Sequence, residues 1–145
     1  MKTARPDSDK RRLLAVDFGD RRTGLAATDY TGTIIVPLPA LTHSSMRECA
    51  EAVGELARER ETETIVVGLP LAARGEIGPR AERTLAFARL LASLAPCPVV
   101  TVDETHSTDE AHERLKLGGL KAARRKRLAD SVAAIIILER FRAGG

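Results

Sequence analysis

The sequence predicts an α/β domain in which helices flank one mixed five-stranded sheet. Three short apolar segments separated by turn signals come first, and they are typical of an antiparallel meander. Two further apolar segments then alternate with stretches of helical periodicity, as in folds whose later strands run parallel. The predicted order of elements is therefore β-β-β-α-β-α-β-α-α, and 145 residues suffice for one domain of this kind.

The first three strands are predicted at residues 13–18, 23–28 and 33–38. Each segment is short and consists mainly of apolar and β-branched residues, which favour extended backbone. The connections at residues 19–22 and 29–32 contain glycine and aspartate, which are typical of tight turns between antiparallel neighbours.

Helical periodicity begins after the meander. Ser45 and Glu48 fit a capping box, and apolar residues then recur at helical spacing to about residue 60. The later elements follow from the same two signals, β-branched apolar runs for strands and helical spacing of apolar residues for helices. They are predicted at residues 64–68 (strand), 79–94 (helix), 98–103 (strand), 107–117 (helix) and 124–141 (helix).

The whole chain, residues 1–145, is predicted to form a single domain. Its charged start, residues 1–11, is expected to be flexible, and residues 118–124, which begin with two glycines, are expected to form a mobile loop. Two widely spaced cysteines and no apolar signal segment indicate a reduced, cytoplasmic protein. No apolar run approaches the ~20 residues that cross a bilayer, so no membrane partner is expected.

Three acidic residues occur where a carboxylate adds nothing to the stability of the fold. Asp17 lies in an apolar strand, Glu104 follows the last strand, and Asp130 shares a helix face with apolar residues. Burying an unpaired carboxylate costs several kcal/mol, so acids at such positions commonly bind a cation. Because all the ligands are oxygens, the sequence predicts Mg²⁺ or Mn²⁺. A helix cap or a salt bridge is the alternative for each acid taken alone.

Basic residues indicate a polyanionic substrate. The chain has a net charge of +3 and a pI of about 9.2, and a cation site in a basic protein suits phosphate esters. Few aromatic side chains are available for base stacking, so binding of nucleic acid should be largely electrostatic. The predicted nucleic-acid contacts are Arg22, Arg74, Arg80, Lys116, Lys121, Arg124, Arg125, Lys126 and Arg127.

The densest basic segment extends from residue 114 to residue 127 and contains seven basic residues and no acid. Because it leads directly into Asp130, we interpret it as a mobile clamp for nucleic acid at the border of the metal site. A solvated helical face is the alternative interpretation. His106, two residues after Glu104, is a candidate for proton transfer, although a solvent-facing histidine is the simpler interpretation.

Four sequence motifs resemble those of one known family. They are AVDFGDRRTGLA at residues 15–26, VVGLP at residues 66–70 with the glycines that follow it, DE at residues 103–104 and DSVAA at residues 130–134. In this order they resemble the YqgF family of pre-16S rRNA nucleases, which are homologues of RuvC-type Holliday-junction resolvases and have a ribonuclease-H-like fold. The resemblance covers nearly all of the chain after residue 12.

The resemblance implies a metal-dependent nuclease that matures precursor 16S rRNA. Asp17, Glu104 and Asp130 match the catalytic acids of the family that bind the metal, and two Mg²⁺ or Mn²⁺ ions are expected. Two positions depart from the family pattern, because Thr105 replaces an arginine and Arg74 replaces an aspartate. Both departures concern substrate preference.

Other functions remain open at this level. A Holliday-junction resolvase that acts on branched DNA would need a homodimer, because it must cut two symmetric strands. A nucleic-acid-binding protein without catalysis is supported only by Thr105. An actin-like ATPase shares the spacing of Asp17 and Gly19, but the sequence shows no second phosphate loop. The residues do not distinguish RNA from DNA, internal from terminal cleavage, Mg²⁺ from Mn²⁺, or a monomer from a dimer.

Overall fold

The computed structural model of the chain describes residues 10–72, 74–105, 107–117 and 122–144, with the backbone alone at 107, 108 and 122–127. The predicted order of strands and helices is confirmed. The elements are β1 (Leu13–Asp17), β2 (Arg22–Thr28), β3 (Ile35–Thr42), α1 (Met46–Glu59), β4 (Thr64–Leu69), α2 (Pro79–Leu94), β5 (Val99–Asp103), α3 (Ser107–Leu117) and α4 (Ala122–Arg142).

The five strands form one mixed sheet in the order β3-β2-β1-β4-β5, as the predicted fold class requires. β2 runs antiparallel to both β1 and β3, whereas β4 runs parallel to β1 and to β5. The parallel register places Val16 beside Val67 and Leu69 beside Asp103. The carboxyl ends of β1, β4 and β5 therefore lie at the same edge of the sheet, which is where ligands bind in open α/β sheets.

The third strand begins and ends later than the sequence pattern predicts, at Ile35–Thr42 and not at residues 33–38. The carboxylate of Asp29 accepts hydrogen bonds from the backbone N–H groups of Thr33 at 3.0 Å and Ile34 at 3.2 Å. These bonds extend the turn through residue 34 and delay the strand. The strand then continues through two prolines, which an edge strand tolerates because its outer N–H groups need no partner within the sheet.

Alternate residues of β1 face two different helical layers. Leu14 and Val16 pack with buried residues of α1 and α2. Leu13 and Ala15 face the other side of the sheet and pack with Ile137 and other residues of α4. Because side chains alternate along a strand, Asp17 belongs to the face that α4 covers. Helix α3 packs outside α4, and none of the helices in the described ranges is long and apolar enough to cross a membrane.

Two segments that the sequence marks as flexible or mobile are only partly described. Residues 1–9 lie outside the described residues, but Lys10 Nζ donates to Thr33 Oγ1 at 3.3 Å and the Arg11 guanidinium lies 5.1 Å from the centroid of the Phe141 ring. Residues 118–121 also lie outside the described residues, and residues 122–124 belong to the first turn of α4.

Helix α4 approaches the sheet closely at Gly24 of β2. A Cβ atom at position 24 would lie 2.2 Å from the carbonyl oxygen of Asp130 and 2.9 Å from its Cβ atom. No side chain fits between these two backbones, so glycine at position 24 permits the contact. The contact positions Asp130 over β2 at the site edge of the sheet.

We expect Gly24→Ala to destabilise the fold by ~1–3 kcal/mol, because the added methyl group forces α4 away from β2. The matched control is Gly54→Ala within α1, where the new Cβ would make only an ordinary contact of 3.5 Å. The control should be neutral or stabilising by up to ~1 kcal/mol, since alanine favours helix. Urea unfolding of both variants checks this, and equal stability of the two would contradict the close-packing argument.

Candidate functional site

A cavity of about 660 Å³ opens at the edge of the sheet where β1, β4 and β5 end. The three predicted acids all line it: Asp17 from the end of β1, Glu104 from the residue after β5, and Asp130 from α4. Arg22 and Arg80 also line the cavity. The fold thus brings together three acids that are far apart in sequence, as their placement predicted.

Glu104 reaches the cavity through a narrow slot beside Gly68. Its side chain is buried, and a Cβ atom at position 68 would lie 2.8 Å from Glu104 Oε2 and 2.5 Å from Ile137 Cδ1. Glycine at position 68 therefore leaves room for the Glu104 carboxyl group between β4 and α4. This fit leaves space for a buried side chain directly after β5.

Asp17 and Glu104 form a hydrogen-bonded pair of carboxyl groups. Burial raises the pKa of Asp17, the Glu104 hydrogen bond opposes this rise, the charge of Asp130 adds to it, and the charge of Arg80 again opposes it. The net pKa of Asp17 is raised. Two neighbouring carboxylates repel each other when both are ionised, and a bound cation would relieve this repulsion.

The charge of Asp130 is balanced by an arginine. Arg22, the first residue of β2, places its Nε atom 2.8 Å from Asp130 Oδ2, and the two side chains are 48% and 35% exposed. The apolar residues of the same helix face, such as Ala134 and Ile137, are fully buried. Its place on an apolar helix face predicted that Asp130 would point toward the core, but it lies at the rim of the cavity instead.

The acids fit a divalent cation in their chemistry but are not arranged around one. Within the described ranges, no three Asp, Glu, His or Cys side chains are placed so that they could hold a metal ion together. Asp17 bonds to Glu104, and Asp130 forms an ion pair with Arg22. Three carboxylates are nevertheless the oxygen donors that Mg²⁺ and Mn²⁺ prefer. For Asp130 to bind a cation, the cation would have to displace the Arg22 guanidinium.

The predicted nucleic-acid contacts lie at different distances from this cavity. Arg22 and Arg80 form part of its wall, and Arg74 is exposed in the connection between β4 and α2. Lys116 is exposed near the end of α3, 3.7 Å from Glu113 Oε1. Lys121 lies outside the described residues, and Arg124, Arg125, Lys126 and Arg127 begin α4 with side chains that are not described.

Arg114, the first residue of the basic segment, has a structural role. Its Nη2 atom lies 2.8 Å from Glu110 Oε2 and 2.8 Å from Glu139 Oε1, so it joins α3 to α4. The hydrogen bond with Glu139 is the main reason that the pKa of Arg114 is raised. The interpretation of the whole segment as one clamp therefore has to exclude Arg114.

One acid of the cavity wall was not predicted from the sequence. Asp109, in the first turn of α3, lines the cavity together with the three predicted acids. The start of α2, predicted at residue 79 after a loop of glycine and proline, also lines it, and Gly78 caps this helix without a side-chain hydrogen bond. The only sequence signal for Asp109 was its position in the helix start that follows Glu104, and helix starts commonly carry acids for structural reasons.

Thr105, which departs from the family pattern, closes a turn. Its backbone N–H donates to Asp103 Oδ1 at 2.8 Å, its hydroxyl donates to the same oxygen, and the hydroxyl also lies 3.4 Å from the carbonyl oxygen of Leu71. A threonine in this position therefore supports the backbone around Glu104. His106, the candidate for proton transfer, lies outside the described residues.

Known proteins resemble this chain in both sequence and fold. The family model RuvX, described as Holliday junction resolvase, matches residues 11–142. A relative from Chloroflexus aurantiacus, named "Putative pre-16S rRNA nuclease", is 42% identical over 130 residues, which is 89% of this chain and 84% of the relative. A relative of the same name from Desulforudis audaxviator is 35% identical over 130 residues, covering 90% of this chain and 92% of the relative.

Two solved structures support the ribonuclease-H-like fold. Thermus thermophilus RuvC in complex with a Holliday junction substrate superposes with a TM-score of 0.57 at 22% identity, covering 92% of this chain and 94% of RuvC. The fowlpox virus resolvase in complex with Holliday junction DNA superposes with a TM-score of 0.54 at 10% identity, covering 92% and 97% of the two chains. The resemblance found in the motifs is confirmed, and the chain belongs to the RuvX family of nucleases.

Proposed function

We propose that the protein hydrolyses phosphodiester bonds in structured nucleic acid with divalent cations bound by Asp17, Glu104 and Asp130, and that its substrate is precursor 16S rRNA. The observation that carries this proposal is the convergence of the three acids on one cavity with arginines in its wall. The names of the two relatives support precursor 16S rRNA as the substrate.

The three acids would divide the binding of cations between them. Asp17 bonds to Glu104 and also feels the charge of Asp130, so Asp17 would share one cation with each of the other two acids. When bound, Mg²⁺ or Mn²⁺ supplies an activated water and stabilises the leaving oxygen. All three carboxylates line the cavity that a phosphodiester would enter.

The part of the cavity wall at the start of α2 would bind the phosphate backbone. Gly78, Pro79 and Arg80 line it, and the N-terminus of α2 presents backbone N–H groups without a side-chain cap. Helix N-termini favour anions, and Arg80 adds a full positive charge in the first turn. We expect Arg74, Lys116 and the basic residues 121–127 to extend this binding surface beyond the cavity.

A second candidate is resolution of branched DNA. The family description and the fold shared with RuvC favour it. In that case the protein would act as a homodimer, because symmetric cleavage needs two sites. Cleavage assays with precursor 16S rRNA and with a four-way DNA junction, each in Mn²⁺, Mg²⁺ or chelator, decide between the two substrates. Strong binding of either substrate without cleavage would favour a non-catalytic role.

We place this activity in the cytoplasm. Cys49 is fully buried and Cys97 is half-buried, and both are free thiols. Burial raises the pKa of both thiols, which keeps them protonated and unreactive. Structural cysteines of this kind are typical of proteins in reducing compartments.

We expect Asp17→Asn to lower the cleavage rate by more than ~100-fold while binding of nucleic acid is retained. Loss of groups that only support metal ligands commonly costs ~10–100-fold, so loss of a shared ligand should cost more. The matched control is Asp20→Asn, whose carboxylate is exposed and pairs with Arg83 at 2.7 Å. Cleavage and gel-shift assays measure the two effects, and an active Asp17→Asn protein would contradict the assignment of the ligands.

Without metal, Asp17→Asn should be more stable than the wild type at neutral pH. The folded state raises the pKa of Asp17, so folding favours the protonated form and stability falls as pH rises from the unfolded pKa through the folded pKa. Asp17→Asn removes this loss of stability, so its advantage over the wild type should disappear at acidic pH. Thermal melts in chelator from pH 3 to pH 8, a range set by the usual pKa of ~3.9, check the prediction.

Manganese should reverse the order of these melting temperatures. It should stabilise the wild type, because it binds only the folded state, and should stabilise Asp17→Asn much less. Asp130→Asn provides a comparison, since it removes a partly exposed ion pair with Arg22 and should cost only ~0–1 kcal/mol without metal. An equal manganese shift in all three proteins would exclude these acids as ligands.

We expect Arg22→Gln to increase Mn²⁺ affinity by up to ~5-fold, because an exposed ion pair is worth up to ~1 kcal/mol and would no longer compete for Asp130. The matched control is Arg83→Gln, which removes an exposed guanidinium that pairs with Asp20. Calorimetric titration with Mn²⁺ in the absence of nucleic acid measures both. Unchanged or weaker binding by Arg22→Gln would show that Arg22 does not compete with the cation.

A further inference from the structure

The guanidinium of Arg140 contacts the backbone on both sides of Glu104. Its Nη1 atom lies 3.1 Å from the carbonyl oxygen of Asp103 and 2.9 Å from the carbonyl oxygen of Thr105. Because Nη1 carries two N–H groups, it can donate one to each carbonyl. One side chain of α4 thus connects the peptide groups that precede and follow Glu104.

Arg140 is itself held by charged residues of α3 and α4. Its Nη2 atom lies 3.6 Å from Glu110 Oε1, and the other oxygen of Glu110 lies 2.8 Å from Arg114, which also contacts Glu139 at 2.8 Å. Arg140 is 29% exposed, whereas the other three side chains are between 42% and 45% exposed. The guanidinium is therefore fixed between an acid on one side and two carbonyl groups on the other.

The Glu104 segment has further contacts that limit its movement. The backbone N–H of Glu104 donates to the carbonyl oxygen of Leu69 at 3.1 Å, and its carboxyl group occupies the slot beside Gly68. The Leu69 bond anchors Glu104 to β4, and the Arg140 bonds anchor its two flanking peptides to α4. Together they determine the direction in which the Glu104 side chain leaves the backbone.

We propose that Arg140 is a positioning residue for Glu104, because its guanidinium holds the two flanking peptides and so orients the Glu104 carboxylate toward Asp17 for binding a divalent cation. This inference rests on the proposed function, in which Glu104 is a metal ligand. Groups that orient metal ligands through hydrogen bonds commonly change metal affinity when they are removed. A residue that only stabilised the contact between α3 and α4 would leave metal affinity unchanged.

The test compares Mn²⁺ binding by variants of Arg140, measured by calorimetry in the absence of nucleic acid. Arg140→Met keeps the length of the side chain but removes its donors, and Arg140→Lys keeps the charge but loses the planar fork. The matched control is Arg142→Met, which removes a guanidinium two residues further along α4 that donates to the carbonyl oxygen of Thr33 at 3.1 Å. Glu104→Gln reports whether Glu104 is a ligand at all.

We expect Arg140→Met to weaken Mn²⁺ binding by ~10-fold, Arg140→Lys by ~3-fold and Arg142→Met not at all. Cleavage by Arg140→Met should recover toward the wild-type rate at high Mn²⁺, because the ligands themselves are intact. Wild-type affinity in Arg140→Met would overturn the inference, and if that variant does not fold, wild-type affinity in Arg140→Lys would do so.

Glu104→Gln separates this inference from the proposed function. If Glu104→Gln loses affinity while the Arg140 variants do not, Glu104 is a ligand and only the role of Arg140 is wrong. If Glu104→Gln binds Mn²⁺ as well as the wild type, the proposed function fails and the role of Arg140 fails with it. If Glu104→Gln and the Arg140 variants lower the affinity for Mn²⁺ and Arg142→Met does not, the positioning role is supported.

Discussion

The backbone contact between Gly24 of β2 and Asp130 of α4 is the constraint on which the arrangement of the site depends. It brings α4 so close to the sheet that the Cα atom at position 24 has room for hydrogen but not for a side chain. From there α4 crosses the face of β1 and β4, where Ala134 and Ile137 complete the core. The same contact sets Asp130 opposite the end of β1. The same backbone contact thus packs the core and places one acid of the site.

The charges of the site are balanced in two different ways when no cation is present. Asp17 and Glu104 bond to each other, and Asp130 bonds to Arg22. A divalent cation would have to take the place of the hydrogen bond in the first case and of an arginine in the second. Cation binding is therefore expected to depend on both pH and the mobility of Arg22.

The order of elements and the convergence of Asp17, Glu104 and Asp130 could be predicted from the sequence, because apolar periodicity and acids in apolar settings are local signals. The Arg22 contact with Asp130 could not, since the two residues are far apart and the pattern around Arg22 is that of an ordinary turn. Arg114 was grouped with its basic neighbours, yet its charge joins α3 to α4. The contacts of Arg140 beside Glu104 could not be predicted either, because they are made to backbone carbonyls, which no sequence pattern marks.

The prolines of β3 bear on how the protein meets other copies of itself. β3 is an edge strand of the sheet, and Pro37 and Pro39 are both exposed on it. Proline has no N–H group to offer to a further strand, so sheet extension across this edge is opposed. A concentrated solution of the protein should therefore resist fibril growth from this edge. If two copies do associate for function, they would have to meet through side chains of helices or loops and not through a continuous intermolecular sheet at β3.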